Sequence, residues 1–96
     1  MENLDAERKL VVIVGYLEKN FPRSTVHCDE MTNGEAVIVF MSDGTKCTIR
    51  VSSALLSDRH PTAMELGWAL QDNHLADKVL KNPQFYLDHE AVPERL

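Results

Sequence analysis

Two apolar segments in the middle of the chain form its strongest structural pattern. Residues 35–41 read EAVIVFM and residues 45–52 read TKCTIRVS, with Asp43-Gly44 between them. An Asp-Gly pair favours a two-residue hairpin turn, because both turn positions need positive φ angles. The pattern predicts two antiparallel strands. Since residues 36–41 are apolar on both faces, we expect that strand in the centre of a sheet.

The register of this hairpin depends on the length of its loop. A two-residue loop places Phe40 opposite Cys47, whereas a three-residue loop over residues 42–44 places Val39 opposite Cys47. A slip of one residue moves every apolar side chain of a strand to the other face. The sequence therefore leaves open which face of the sheet is buried.

The first part of the chain predicts a helix followed by a strand. Residues 4–21 have helical periodicity, and Pro22 ends the helix because it cannot donate a helical hydrogen bond. The apolar stripe of this helix consists of Ala6, Leu10, Ile13, Val14, Leu17 and Phe21. Residues 24–31 alternate, with Val26 and Cys28 on one face. Together with the hairpin, they predict an antiparallel meander.

A second helix begins at the capping box Thr62-x-x-Glu65 and can extend to residue 81. One of its apolar stripes contains Leu66, Ala69, Leu70, Ala76 and Leu80. The opposite stripe contains Met64, Trp68, Leu75 and Val79. Either the helix breaks at residues 72–74, so that each half has one apolar face, or it is continuous and something else covers the second stripe.

The predicted element order α-β-β-β-α indicates a two-layer α+β fold. We expect a three-stranded antiparallel meander with the helices packed on one face. A helical turn carrying Leu55 and Leu56 is expected before the second helix. Residues 1–87 form the single domain, in which the aromatic segment 85–87 folds back onto the helices. Residues 88–96 are expected to be an acidic, frayed tail.

Composition and charge narrow the class of protein. The chain has 96 residues, of which 44% are hydrophobic and 26% charged, and its net charge is −5. These values are ordinary for one globular domain. The ten basic residues are scattered, which argues against an interface built on phosphate contacts. The element order is similar to that of double-stranded-RNA-binding domains, but the start of the second helix, HPTAMELGWAL, lacks their lysine cluster.

The sequence predicts neither a membrane protein nor a secreted one. The N-terminus MENLDAERK does not resemble a secretory signal, and no apolar run approaches the roughly 20 residues of a membrane span. Cys28 and Cys47 fall on the first and third strands, too far apart for a disulfide if they are level. We therefore expect packed, reduced thiols and a cytoplasmic protein.

The sequence contains no motif for catalysis or for a cofactor. It lacks G-x-G-x-x-G, the P-loop, G-x-S-x-G, H-E-x-x-H and C-x-x-C. No two of its four histidines are spaced i, i+4, so we expect no metal site. The run 57–60 (SDRH) brings together a hydroxyl, a carboxylate and an imidazole, but such residues before a proline are typical of turns and caps. No catalytic, cofactor-binding or metal-ligating residue is predicted.

The surplus of apolar surface favours a non-enzymatic protein-interaction or regulatory module. Its predicted interface consists of Met64, Trp68, Leu75 and Val79. In the register of the two-residue loop, the second face of the sheet carries Val37, Val39 and Met41 and would add to this apolar surface. Large apolar patches on small soluble proteins usually mark contacts with other proteins. We expect a homodimer or a complex with another protein.

Two alternatives belong to other classes of function. A small-molecule-binding domain would have its pocket between sheet and helices, near Cys47, Trp68 and His60. A nucleic-acid-binding domain is the less favoured alternative and would use Arg23, Lys46 and Arg50 at one face of the sheet.

Overall fold

The computed structural model describes residues 4–30, 33–42, 44–79, 81, 84–90 and 92–95. In these residues, one helix is followed by three strands, three helices and two further strands. The helices are α1 (Leu4–Asn20), α2 (Ser53–Ser57), α3 (Ala63–Asp72) and α4 (Leu75–Val79). The strands are β1 (Thr25–Glu30), β2 (Ala36–Ser42), β3 (Thr45–Val51), β4 (Gln84–Leu87) and β5 (Pro93–Arg95).

One mixed sheet contains these strands in the order β1-β2-β3-β4-β5. The first three strands form the antiparallel meander predicted from the sequence. β4 then lies parallel to β3, and β5 lies antiparallel to β4. A parallel neighbour requires a crossover connection, which α2, α3 and α4 provide. The α+β class is confirmed, but the predicted sheet of three strands is too small because the residues after the helices add two more.

The β2–β3 hairpin has the register of a two-residue loop. Phe40 lies opposite Cys47, and Ile38 lies opposite Ile49. All four side chains are buried, so they define the covered face of the sheet and answer the question that the sequence left open. Burial raises the pKa of the Cys47 thiol to about 11, because apolar surroundings disfavour the thiolate.

The core lies between this covered face and the helices. α1 contributes Leu10, Ile13 and Leu17, which all belong to the stripe predicted from its periodicity. The helical turn expected around Leu55 and Leu56 is confirmed as α2, and both leucines are buried. Each helix places apolar side chains in the same cluster as the sheet, so the helices form one layer on one face.

The segment after the helices completes the sheet. Phe85 and Leu87 are buried, as their apolar character predicted, but they lie in a strand beside β3 and do not simply cover the helices. Pro93–Arg95, within the segment that we expected to be a frayed tail, pair with β4 as β5. The sheet therefore extends beyond residue 87.

The predicted second helix is broken in two. α3 ends at Asp72, and the amide of the next residue, Asn73, donates to the carbonyl oxygen of Ala69 at 2.9 Å. His74 has a φ angle of 54°, a left-handed conformation that ends the helical path. α4 begins after this break, at Leu75, and the Tyr16 hydroxyl of α1 accepts a hydrogen bond from the Ala76 amide at 2.9 Å. The broken alternative is therefore correct.

A lysine is buried where α1 meets α2. Lys9 is 1% exposed, and its Nζ donates hydrogen bonds to the carbonyl oxygens of Leu55 (2.6 Å) and Asp58 (2.7 Å). These carbonyls lie at the C-terminal end of α2, where backbone oxygens lack helical partners and a positive charge is favourable. Lys9 therefore fixes the position of α2 against α1.

Candidate interaction surface

The four residues of the predicted interface do not lie on one surface. Met64 and Trp68, one turn apart on α3, are 68% and 61% exposed. Leu75 and Val79 are buried in the core, because the break at residues 73–74 turns α4 so that its apolar side faces inward. The outer surface of α3 therefore retains only the first pair, which we call the α3 patch.

Local interactions fix the orientation of the α3 patch. The Thr62 hydroxyl accepts a hydrogen bond from the Glu65 amide (3.2 Å), and the Glu65 carboxylate accepts one from the Thr62 amide (2.9 Å), so the predicted capping box is confirmed. This amide, and then His60 at 3.1 Å, lower the pKa of Glu65. On the opposite side of α3, Leu66 and Leu70 are buried. Because the inner side is anchored, the outer side presents the patch to solvent.

The second face of the sheet is mixed in character and not continuously apolar. Val37 lies in one row between Asp29 of β1 and Arg50 of β3. Arg50 donates to the Glu35 carboxylate at 2.6 Å and lies 5.8 Å from the centre of the Tyr86 ring. The hydrogen bond from Arg50 lowers the pKa of Glu35 and raises that of the guanidinium. This network gives the face a polar centre, so it does not extend the α3 patch.

A groove that was not predicted from the sequence runs between α1 and β1. It has a volume of about 390 Å³, and its lining is apolar except for one carboxylate. The lining residues are Leu10, Val11, Val14, Gly15, Glu18 and Cys28. Val11 is 69% exposed, so its exposed fraction is similar to those of Met64 and Trp68 in the α3 patch. The signal in the sequence was the run 10–14, whose apolar residues exceed what one helical stripe requires.

The groove and the α3 patch lie on different sides of α1. Val11 and Val14 line the groove, whereas Val12 faces α3, where a β-carbon added at Gly67 would lie 3.6 Å from its Cγ1 atom. The two surfaces can therefore be altered independently.

The residues named for a small-molecule pocket are not brought together. Cys47 is fully buried on the covered face of the sheet, whereas Trp68 and His60 are exposed. A side chain with no accessible surface cannot line a pocket that is open to a ligand.

The three basic residues named for nucleic-acid binding also lack a common site. Arg50 is paired with Glu35, which neutralises its charge locally. Lys46 lies on the same strand and face, near the opposite end of β3, and Arg23 lies in the turn after α1. This arrangement does not form the continuous basic surface that phosphate binding requires.

Three histidines form small pairs with carboxylates at the surface: His27 with Asp29, His74 with Asp77, and His89 with Glu90. His27 lies 3.2 Å from Asp29, and both side chains are largely exposed. Among the described residues, no group of three or more His, Cys, Asp or Glu side chains is placed to hold a metal ion. Within the same residues, no helix has the length and apolar content needed to cross a membrane.

Comparisons of the chain with protein-family models, with curated proteins and with solved structures find no match. Function is therefore inferred from the surfaces described above.

Proposed function

We propose that this protein is a non-enzymatic protein-interaction module that associates with a second copy of itself through the α3 patch. The observation that carries this proposal is the exposure of Met64 and Trp68 on a helix whose other side is anchored in the core. Tryptophan is enriched among the residues that dominate binding at protein interfaces. Cys28 and Cys47 lie on β1 and β3, which are separated by β2, and packed thiols of this kind support a cytoplasmic location.

The small size of the α3 patch limits the affinity of such a dimer. Burying a side chain of this size contributes roughly 1.5–3 kcal/mol. A symmetric dimer buries the same pair on both copies, so the contribution is roughly 6–12 kcal/mol in all. Association costs about 4–15 kcal/mol in lost freedom of motion. We therefore expect a weak dimer, with a dissociation constant on the order of micromolar or higher.

Solution mass measured over a range of concentrations tests this proposal. Size-exclusion chromatography with light scattering should show a mass that rises from monomer towards dimer as the protein is concentrated. Trp68→Glu should remain monomeric, because a two-fold axis places the new carboxylates of the two copies close together. Val11→Glu is the matched control, since it replaces an equally exposed apolar residue on the other side of α1. This variant should dimerise as the wild type does.

Two results would overturn the proposal. The first is a wild-type protein that stays monomeric at every concentration. The second is a dimer that Trp68→Glu leaves intact, since the interface would then lie elsewhere. Fluorescence supplies an independent measurement, because burial of Trp68 in a dimer should shift its emission to shorter wavelength as concentration rises. A shift caused by small metabolites, without dependence on protein concentration, would instead favour the small-molecule-binding alternative.

A further inference from the structure

The two edges of the sheet differ in how well they are protected. β5, at one edge, has three residues and begins with Pro93, which cannot donate a hydrogen bond to another strand. β1, at the other edge, pairs over six consecutive residues with β2 and, within the described residues, with no other strand. Its sequence TVHCDE contains no proline or lysine, the residues that commonly block edge pairing. β1 is therefore open to a further strand.

The apolar groove lies beside this same edge. Cys28 of β1 forms part of its lining, and Val11 and Val14 of α1 form the opposite wall. A strand added to β1 would send every second side chain to the helix side of the sheet, where the groove lies. The open edge and the groove can therefore act together as one binding site for an extended segment. Backbone hydrogen bonds to β1 would give affinity, and the groove would give specificity for side chains.

We propose that β1 docks an extended segment of another protein in which apolar residues alternate with lysine or arginine. The apolar side chains would enter the groove beside Cys28. The basic side chains would point to the other face, where β1 carries His27 and Asp29. This site goes beyond the proposed dimer, since it uses a different surface and a different partner.

Charge complementarity selects the basic partner. The exposed carboxylate of Asp29 lies on the face of β1 to which the basic side chains of the segment would point. Residues 25–30 contain no lysine or arginine, and the whole chain has a net charge of −5. A second copy pairing through β1 would bring another chain with a net charge of −5 to the same edge. A cationic segment would instead bring opposite charges together.

A labelled peptide of roughly eight residues that alternates valine and lysine is long enough to span β1 and serves as the probe. Its binding to the full chain is measured by fluorescence anisotropy. A peptide that alternates valine and glutamate tests whether binding requires the positive charge of the lysines, and it should bind more weakly. Two further peptides carry N-methyl groups on alternate residues, one on the valines and the other on the lysines. Because alternate amides of a strand face its neighbour, one methylated peptide should lose binding and the other should retain it.

Protein variants then locate the site. Val11→Glu should weaken binding of the valine–lysine peptide by roughly tenfold, which corresponds to about 1.4 kcal/mol. The new carboxylate would lie where the valine side chains pack, whereas the lysines point to the other face. Trp68→Glu should bind it as the wild type does, which separates this site from the α3 patch.

Several results would overturn the proposal. The first is the absence of binding at about 1 mM peptide, which is the weak end of measurable affinity. The second is equal binding of the two methylated peptides. The third is a Val11→Glu protein that binds the valine–lysine peptide as tightly as the wild type does. A wild-type dimer that Val11→Glu dissociates would also overturn it, because a second copy would then occupy β1.

Discussion

Replacement of Lys9 by methionine tests whether the buried ammonium group stabilises the fold. Lys9→Met keeps a long, flexible side chain and removes both hydrogen bonds to the end of α2, at 2.6 Å to Leu55 and 2.7 Å to Asp58. A hydrogen bond to a charged group contributes about 1.5–3 kcal/mol. The two bonds together therefore set an upper limit of roughly 3–6 kcal/mol.

Two effects make the expected loss of stability smaller than this upper limit. Methionine avoids the cost of removing a charge from water, which is several kcal/mol for a buried ion. The carbonyl oxygen of Asp58 is only partly buried and can bind water in the variant, whereas that of Leu55 is buried and would lose its partner. A buried group without a partner costs about 1–3 kcal/mol. We expect Lys9→Met to lower the free energy of unfolding by about 1–3 kcal/mol.

Urea unfolding followed by far-ultraviolet circular dichroism measures the change. A loss of this size lowers the melting temperature by roughly 4–24 °C in a domain of this length. Lys19→Met is the matched control, because Lys19 is exposed in the last turn of the same helix and should change stability by less than about 0.5 kcal/mol. A Lys9→Met protein as stable as the wild type would refute the reasoning, since the cost of burying the charge would then equal the gain from its hydrogen bonds.

Three further predictions concern single contacts. Tyr16→Phe removes the hydroxyl that accepts from α4 and should cost about 1 kcal/mol in urea unfolding; no loss would mean that water replaces it. Gly15→Ala should stabilise α1 by up to about 1 kcal/mol in urea unfolding, because alanine is the better helix former and an added β-carbon meets no atom within 4 Å. A measured loss of stability would contradict this. Arg50 lowers the pKa of Glu35, so the stability from this pair is present above pH 4.5 and is lost as pH falls through the lower folded-state pKa. Glu35→Gln should therefore be less sensitive to acid than the wild type in urea midpoints compared between about pH 3.5 and about pH 7; equal sensitivity would refute this.

The features that the sequence predicted correctly depend on local patterns. The helical stripe of α1, the capping box at Thr62 and Glu65, and the Asp-Gly hairpin each involve residues that are close in the chain. For such features, the spacing of apolar and capping residues is sufficient because the partners are fixed by helical or hairpin geometry.

The features that were missed depend on contacts between distant residues. β4 pairs in parallel with β3, and no turn signal at residues 84–87 identifies that partner. Nothing in the sequence distinguishes the buried Lys9 from an exposed lysine, since its partners lie 46 and 49 residues away.

Only two of the four residues predicted for the interface lie at the surface, and the reason is again a contact that the sequence does not specify. Trp68 is exposed as expected, but Leu75 became a core residue because the helix breaks before it. The sequence DNH at this break contains weak helix formers without glycine or proline, so it allowed either outcome. The groove was missed because its walls come from two elements whose contact the periodicity of α1 alone does not reveal.

The position of β3 between β2 and β4 has a consequence for synthesis of the chain. The ribosome releases the meander before residues 84–87, so β3 is a temporary edge strand in the nascent protein. Its covered face carries Cys47, Ile49 and Val51, which all become buried in the completed fold. An apolar edge of this kind favours pairing with neighbouring chains. On crowded polysomes, the interval before β4 emerges is therefore when this protein most needs protection by chaperones.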